Sequence, residues 1–280
     1  MKNSATPVLK PEQKKQALDF FRLVQDKLLA AFCECDPKAI LERKNWDRPE
    51  LTGDSRNGGG GIMGVVRGPA VEKAGANFSE VYGDSYPAIE SKYKDKAFFA
   101  AGVSTIGHMY NPHAPIAHMN VRLLEVGDEF WFGGGADLTP FIPYEEDTKE
   151  FHQALEKACM QLGSDTYAKY KAWCDEYFYI PHRKSPRGVG GVFFDYLQGD
   201  FTRNFAFVQA VALAYVDIYA RILKRRLQLP FTAEQKDGQL YWRGRYAEFN
   251  LVYDRGTKFG LMTGGNIEAI FVSLPPVVKW

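Results

Sequence analysis

The order of β-like and helical segments constrains the fold of this 280-residue chain more than any other feature of its sequence. β-like runs come in clusters that helical blocks separate, so the regular strand–helix–strand alternation of a parallel sheet is missing. This order predicts an α+β fold with a mostly antiparallel sheet. Because no repeat or linker divides the chain, we expect an N-terminal tail over residues 1–10 and a single domain over residues 11–280.

Helical and β-like patterns locate the predicted elements. Apolar side chains recur at helical spacing in four segments, which are Pro11–Cys33, Tyr144–Gly163, Ser164–Phe178 and Arg203–Leu227. β-like runs occupy Ile62–Arg67, Phe98–Ile106, Ala117–Val126 and Val189–Tyr196. The glycines Gly58–Gly61 precede a β-like run and not a helix, which argues against a dinucleotide-binding loop and favours a flexible or lid-forming loop.

Charge and composition argue against several broad classes of protein. The net charge is +1, whereas proteins that bind nucleic acid or a membrane surface usually carry a basic excess. No uninterrupted apolar run reaches about 18 residues, so we expect no membrane-spanning segment. The first ten residues lack the apolar core of a signal peptide, and the four cysteines form no CxxC pair, so we expect a cytoplasmic protein with reduced thiols.

Residues Arg243–Asn266 predict a β-hairpin with functional residues at its tip. Side chains in Tyr246–Tyr253 alternate between apolar and polar, which is typical of a strand with one buried face. A turn signal follows at Asp254–Thr257, and Gly264 and Gly265 follow a second apolar run. The tip would therefore bring an acid and a guanidinium close to two residues without side chains. A purely structural hairpin is the alternative.

The run Ala117–Val126 carries the next group of candidate residues. Because side chains on a strand alternate between its two faces, His118, Asn120 and Arg122 project from the same face. A proton-transfer group, a neutral amide and a carboxylate-binding guanidinium together suit an anionic ligand. The alternative is a solvated polar face, for which Lys, Glu and Thr would be more typical.

A glycine-rich block, Trp131–Pro140, precedes the second predicted helix. Its three consecutive glycines allow a ligand to approach the backbone closely, and its aromatic residues can cover an apolar plane. Asp137 follows these glycines. Its carboxylate can accept N–H hydrogen bonds from a heterocycle or can cap a loop, and the sequence leaves both open.

The histidines suggest a metal site, but their spacing does not support one. Three of the five, His108, His113 and His118, fall within about eleven residues. Their spacing matches neither HExxH nor the pattern of non-haem iron sites, and Pro112 and Pro115 prevent a helix that could gather them. We therefore expect no metal site. The weak candidates for metal ligands are His108, His118, His152 and His182.

Five longer blocks carry a family resemblance. They are Lys73–Ser79, Trp131–Pro140, Trp173–Phe178, Arg187–Asp195 and Gly244–Gly265. In this order they resemble the oxygen-dependent coproporphyrinogen III oxidase family, over roughly residues 12–280. The unrelated oxygen-independent enzyme depends on a CxxxCxxC cluster, which this sequence lacks, so the resemblance is to the aerobic family.

The resemblance implies a reaction on a flexible tetrapyrrole. Members of the family use molecular oxygen to convert two propionates of coproporphyrinogen III into vinyls, which gives protoporphyrinogen IX and releases carbon dioxide and hydrogen peroxide. No metal or organic cofactor is expected, although the sequence leaves metal dependence open. The family fold is a large antiparallel sheet flanked by helices on both faces, and its members work as homodimers.

The resemblance and the residue patterns converge on one group of side chains. The substrate carries carboxylates, for which Arg122 and Arg255 are the expected anchors. Its pyrrole N–H groups need an acceptor, which Asp137 or Asp254 can supply, and His118 is the expected acid or base. The remaining expected substrate-binding residues are Ser104, Asn120, Gly264, Gly265 and Asn266.

Several positions depart from the family pattern. Asn266 stands where the family commonly has Arg, so one carboxylate contact is missing, for which Lys258 or Arg255 can compensate. Lys184–Pro186 replaces a usually acidic stretch, and Trp131 replaces a more common Trp-Trp pair. Two alternative functions stay open: a non-catalytic tetrapyrrole-binding protein and a metal-dependent oxygenase.

Overall fold

Seven strands form one antiparallel sheet in the part of the chain that this computed structural model describes, residues 9–48, 58–86 and 91–280. The strands are β1 (Ile40–Asp47), β2 (Gly58–Arg67), β3 (Lys73–Gly83), β4 (Phe98–His108), β5 (Ile116–Val126), β6 (Glu129–Thr139) and β9 (Gly190–Leu197). A separate ribbon pairs β7 (Tyr179–Ile180) with β8 (Ser185–Pro186). The order in the sheet is β1-β2-β3-β4-β5-β6-β9, and the predicted α+β fold is confirmed.

Seven α-helices accompany the sheet within the same residues. They are α1 (Pro11–Cys35), α2 (Glu145–Cys159), α3 (Thr166–Tyr177), α4 (Phe201–Arg226), α5 (Ala233–Val252), α6 (Arg255–Met262) and α7 (Ile267–Ile270). Short 3-10 helices lie at Ser91–Tyr93, Pro181–Arg183 and Phe271–Ser273. The four predicted helices are confirmed as α1 to α4, and the predicted β-like runs lie in β2, β4, β5 and β9. Most of the predicted N-terminal tail, residues 1–8, lies outside the described residues.

The sheet buries one face against α1 and α4. Met119, Val121 and Leu123 of β5 point to this face and are fully buried in the main hydrophobic core. The side chains between them point to the opposite face, because a strand alternates its side chains. α5 covers part of that second face, where its Tyr246 packs in a smaller core with Ile106. Helices therefore lie on both faces, as the resemblance implied.

α4 is long and apolar enough, by length and composition, to cross a membrane. An 18-residue window within it has a mean hydropathy of 1.5. Half of that window is buried inside the protein, and Phe207, Val211 and Tyr215 of this helix belong to the main core. A core helix passes the same test, so the finding is weak evidence for a membrane span.

The predicted β-hairpin at Arg243–Asn266 is wrong. This segment runs through the second half of α5 and all of α6. The buried side chains of α5 include Arg243, Tyr246, Ala247 and Asn250, whose spacing defines one face of a helix. Two of these four residues are polar, so the buried face does not show as an apolar stripe. The alternation after Tyr246 is accidental.

The predicted lid-forming loop at Gly58–Gly61 is also wrong, because these glycines form the start of β2. Gly61 pairs with Trp46 of β1 on one side and with Ser79 of β3 on the other. A Cβ atom on Gly61 would come within 2.7 Å of the Trp46 ring. The absence of a side chain therefore makes room for an indole packed on the strand.

β1 lies at one edge of the sheet and pairs only with β2 among the described strands. Most of its side chains are exposed, including the charged residues Glu42, Arg43 and Lys44. Because neither face of β1 is buried, its sequence shows no apolar alternation. This explains why the strand could not be predicted.

Two buried charges join α2 to the end of α4. Arg226 donates hydrogen bonds to Asp147 from Nε at 2.7 Å and from Nη2 at 3.0 Å, and both side chains are almost completely buried. Arg225 donates to the same carboxylate from Nη1 at 2.9 Å. A buried charge that loses its partner is costly, so this ion pair fixes α2 against the longer helix.

Replacing Asp147 with Asn is expected to lower the free energy of unfolding by about 2 kcal/mol, because the buried Arg226 then keeps only the more exposed carboxylate of Glu146 as its ionic partner. Chemical denaturation near neutral pH measures this change. The matched control is Asp19→Asn, which removes an exposed ion pair with Lys15 and should cost less than about 1 kcal/mol. Equal losses in the two variants would contradict the prediction.

Candidate active site

The register of β5 and β6 brings two of the expected site residues together. His118 of β5 lies opposite Asp137 of β6, and Nδ1 of the imidazole is 3.0 Å from Oδ1 of the carboxylate. Asn120 and Arg122 share this face of β5, as the period-two pattern predicted. The glycine-rich block that contains Asp137 is therefore a strand, and its carboxylate does not cap a loop.

Asp137 is a buried carboxylate with several donors around it. Only 1% of the residue is exposed. Arg187 donates from Nη2 to Oδ1 at 2.6 Å and from Nε to Oδ2 at 3.2 Å. Thr139 donates from Oγ1 to Oδ2 at 3.4 Å. Because both oxygens are already engaged, Asp137 is placed to hold other side chains and is poorly placed to touch a large ligand directly.

Competing effects set the pKa of Asp137. Burial favours the neutral acid and by itself raises the pKa. The positive charge of Arg187 and the hydrogen bond with His118 oppose burial, and the net result is a pKa below the ordinary value. Asp137 is therefore ionised near neutral pH and forms a buried ion pair with Arg187.

Arg187 is the main site residue that the spacing of the sequence did not single out. It follows β8 and is almost fully buried. Its guanidinium carbon lies 3.9 Å from the centre of the Phe178 ring, 4.6 Å from that of Tyr246 and 4.7 Å from that of Phe249. The Nη1 group donates to Asn250 at 3.2 Å. Arg187 therefore ties the sheet to the ends of α3 and α5.

His118 is more accessible than Asp137 and Arg187, since 25% of its side chain is exposed. Its ring packs edge-on against Phe178, with 6.1 Å between the ring centres. Asp137 holds Nδ1, and Nε2 has no hydrogen-bond partner among the described residues. Fixing one nitrogen by a carboxylate leaves the other as a proton acceptor, which suits general acid–base chemistry.

Arg122 lies on the same face, and 28% of its side chain is exposed. It donates from Nη2 to Asp195 of β9 at 2.8 Å and from Nη1 to Asn120 at 3.1 Å. Ser104 of β4 lies opposite Asn120 in the sheet, so it belongs to the same row of residues. The structure therefore brings His118, Asn120, Arg122 and Ser104 to one region of the sheet, as expected from the resemblance.

Asp254 occupies a different position from the predicted hairpin tip. It is the N-cap of α6, where one carboxylate oxygen accepts from the backbone of Thr257 at 2.7 Å and from its hydroxyl at 2.9 Å. The other oxygen accepts from the Tyr177 hydroxyl at 3.0 Å. Tyr177 in turn stacks on Phe193 of β9, with 4.1 Å between the ring centres. Asp254 thus anchors the start of α6 to an aromatic wall beside the site.

The other expected residues of the C-terminal segment mostly serve helix ends. The Gly264 amide donates to Leu261 and the Gly265 amide to Gly260, so both residues close the C-terminal end of α6. Asn266 caps α7 by accepting from the backbone of Ala269.

Arg255 differs from these cap residues. It is exposed, stands 5.4 Å from the Tyr177 ring centre and has no ion pair among the described residues.

The four weak candidates for metal ligands have separate protein partners. His108 is fully buried, its Nε2 lies 2.9 Å from the carbonyl of Ser273, and burial lowers its pKa to about 3. His152 contacts the Val189 carbonyl at 3.1 Å, and His182 contacts Glu248 at 2.7 Å. The described residues contain no group of three or more His, Cys, Asp or Glu that could hold a metal ion.

An ionic cluster holds the segment just before Arg187. Glu248 of α5 accepts hydrogen bonds from Arg183, from His182 and from the indole of Trp280. The hydrogen bond from Arg183 is the main reason that the pKa of Glu248 falls to about 2. This cluster fixes the 3-10 helix against α5 and so supports the position of Arg187.

Comparison with known proteins gives consistent matches. The profile of the coproporphyrinogen III oxidase family matches residues 16–280. The chain is 46% identical over 286 residues to the oxygen-dependent coproporphyrinogen-III oxidase of Rickettsia akari, covering 97% of this chain and all of that protein. It is 50% identical over 243 residues to the protein of the same name from Rickettsia bellii, covering 85% of this chain and 84% of the relative.

The Glu248 cluster predicts a loss of stability in acid. A carboxyl group whose pKa is lowered on folding stabilises the native state above its unfolded pKa, here about 4.5, and loses that contribution as pH falls to about 2. Glu248→Gln lacks this contribution at all pH values. Denaturation between pH values of about 6 and 2 should therefore show a wild-type advantage that shrinks across this window. A constant difference would contradict the assignment.

Proposed function

This chain belongs to the coproporphyrinogen III oxidase family, and from this we propose that the face of the sheet carrying His118, Asp137 and Arg122 is its active site. Its function is the oxygen-dependent oxidation of coproporphyrinogen III in haem biosynthesis. The reaction converts two propionates into vinyls and gives protoporphyrinogen IX. Each conversion uses one molecule of oxygen and releases one of carbon dioxide and one of hydrogen peroxide, so atoms and electrons balance.

One observation carries the assignment of the site: the Asp137–His118 pair stands on the same sheet face as Arg122. A proton-transfer group and a carboxylate-binding group are both needed for a substrate that has pyrrole N–H groups and propionates. The exposed fractions of His118 and Arg122 leave both accessible to a ligand. Asn120 and Ser104, in the row between them, can donate or accept further hydrogen bonds.

We propose that His118, and not Asp137 or Asp254, faces the reacting pyrrole. Asp137 is buried and has both oxygens engaged. Asp254 uses one oxygen to cap α6 and the other to accept from the Tyr177 hydroxyl. Nε2 of His118 can accept the proton from a pyrrole nitrogen, and Asp137 stabilises the resulting imidazolium through Nδ1. The electron-rich ring then reacts directly with oxygen.

The later steps need orientation more than a further catalytic group. A peroxide formed on the ring removes a hydrogen from the propionate while the carboxylate leaves as carbon dioxide. The peroxide departs as hydroperoxide, which takes a proton from water, and His118 returns its proton to the pyrrole nitrogen. Arg122 holds the carboxylate of the reacting propionate, and Arg255 at the rim binds another propionate. Among the described residues, both guanidiniums keep N–H donors that no protein acceptor engages.

We propose that the reaction proceeds without a metal or organic cofactor. The separate hydrogen-bond partners of His108, His152 and His182 support this, because each ring is already engaged by the protein. A metal-dependent oxygenase would require these histidines, which lie on different elements, to leave their present partners and come together around one ion. The alternative of a non-catalytic binding protein gives no role to the accessible Nε2 of His118, whose ring Asp137 orients.

We also propose a homodimer and a cytoplasmic location. Large apolar side chains are exposed near the C-terminus, among them Met262, Ile267 and Trp280, and burial against a second copy would remove them from water. All four cysteines are free thiols, which fits a reducing compartment.

The proposed reaction predicts product formation in air with and without a chelator. Purified protein is incubated with coproporphyrinogen III, and protoporphyrinogen is measured after oxidation to the porphyrin. The same rate in both samples would support cofactor-free catalysis. Absence of product would favour the binding protein, and loss of product only with chelator would favour the metal-dependent oxygenase.

Replacing His118 with Gln is expected to lower kcat by about a hundredfold to ten-thousandfold, because the proton acceptor is lost while hydrogen bonding to Asp137 is retained. Steady-state oxygen uptake measures this change. Asp19→Asn, at an exposed position on α1, is the control and should keep activity near that of the wild type. Near-normal turnover by His118→Gln would contradict the proposed role. Replacement of Asp137 is a weaker test, since it also leaves Arg187 unpaired in the core.

A further inference from the structure

Asp195 of β9 is a carboxylate at the site to which the proposed reaction gives no role. Its Oδ2 accepts a hydrogen bond from Nη2 of Arg122 at 2.8 Å, and 14% of its side chain is exposed. Within the described residues this is the only ion pair of Arg122. The guanidinium that would hold a substrate propionate therefore already has a carboxylate partner in the protein.

The ion pair crosses the sheet above Gly133. β6 separates β5 from β9, and Gly133 lies opposite Arg122 in the register. A Cβ atom on Gly133 would come within 2.4 Å of Oδ1 of Asp195 and within 2.9 Å of Nε of Arg122. The absence of a side chain at Gly133 leaves room for the two charges to meet across the strand. The ion pair therefore lies on the face of the sheet that carries His118 and Asn120.

The reaction removes the carboxylate that pairs with the Arg122 guanidinium. Before turnover, a propionate offers a carboxylate to the guanidinium. After turnover, the same position holds an apolar vinyl, and a partly buried guanidinium without a counter-ion is unfavourable. Asp195 is close enough to supply the missing negative charge.

We propose that Asp195 and the substrate propionate exchange as partners of Arg122, an inference that rests on the proposed function. Asp195 pairs with Arg122 in the free protein, gives way to the propionate on binding and pairs again once the carboxylate has left. Asp195 therefore weakens substrate binding and favours release of the decarboxylated product. It is a positioning residue, because it acts on the substrate through Arg122.

The test compares two stable porphyrins by fluorescence titration: coproporphyrin III, with four carboxylates, and protoporphyrin IX, with two. Asp195→Asn keeps the size of the side chain and a hydrogen-bond acceptor for Arg122. It should bind the tetracarboxylate about fivefold more tightly than the wild type, with a smaller change for the dicarboxylate. In turnover, both KM and kcat should fall. The matched control, Asp19→Asn, should change neither affinity.

A second pair of variants tests the same exchange from the other side. Arg122→Gln leaves Asp195 as an unpaired charge that repels the substrate carboxylate. It should therefore bind the tetracarboxylate more weakly than the double variant Arg122→Gln/Asp195→Asn, in which both charges are replaced by neutral hydrogen-bonding groups. Circular dichroism and thermal unfolding establish that each variant folds.

The outcomes separate the exchange from the function on which it rests. Unchanged or weaker binding of the tetracarboxylate by Asp195→Asn would overturn the exchange. If that variant does not fold, equal affinities of Arg122→Gln and the double variant would overturn it. A wild-type protein that neither binds nor converts the substrate contradicts the proposed function itself.

Discussion

The buried ion pair between Asp137 and Arg187 is the interaction on which the arrangement of the site depends. Both side chains are almost completely removed from water, so removal of either partner is expected to cost roughly 3–5 kcal/mol. The pair joins β6 to the segment before β9, and the aromatic rings around Arg187 extend this connection to α5. His118 takes its orientation from the same carboxylate. The Asp137 carboxylate therefore orients the candidate proton acceptor and also, through Arg187, holds β6, the segment before β9 and α5 together.

The sequence predicts elements well where one face is apolar and poorly where burial includes polar groups. α1 and α4 show a regular apolar stripe and were located to within a few residues. α5 buries Arg243 and Asn250 beside Tyr246, so its helical period is hidden, and a chance alternation gave a false strand. β3 was not predicted for a different reason. Its buried residues include small ones such as Ala74 and Ala76, so no clear alternation of large apolar and polar side chains marks the strand.

The same distinction applies to the site. The shared face of His118, Asn120 and Arg122 follows from the two-residue period of a strand and was predicted correctly. The register between β5 and β6 decides which residue of β6 lies opposite His118. The sequence does not show this register, so only the structure reveals the contact of His118 with Asp137. Arg187 lies 50 residues beyond Asp137, and Asp195 lies 73 residues beyond Arg122. No local pattern can predict pairings over such separations.

The charged edge strand β1 has a consequence for how copies of this chain can associate. An edge strand offers unpaired backbone groups to any extended segment that approaches it. Here Glu42, Arg43 and Lys44 flank that row of groups, and an incoming strand would have to bring its own side chains against these charges. Sheet-to-sheet extension of the kind that leads to fibres is thus disfavoured at β1.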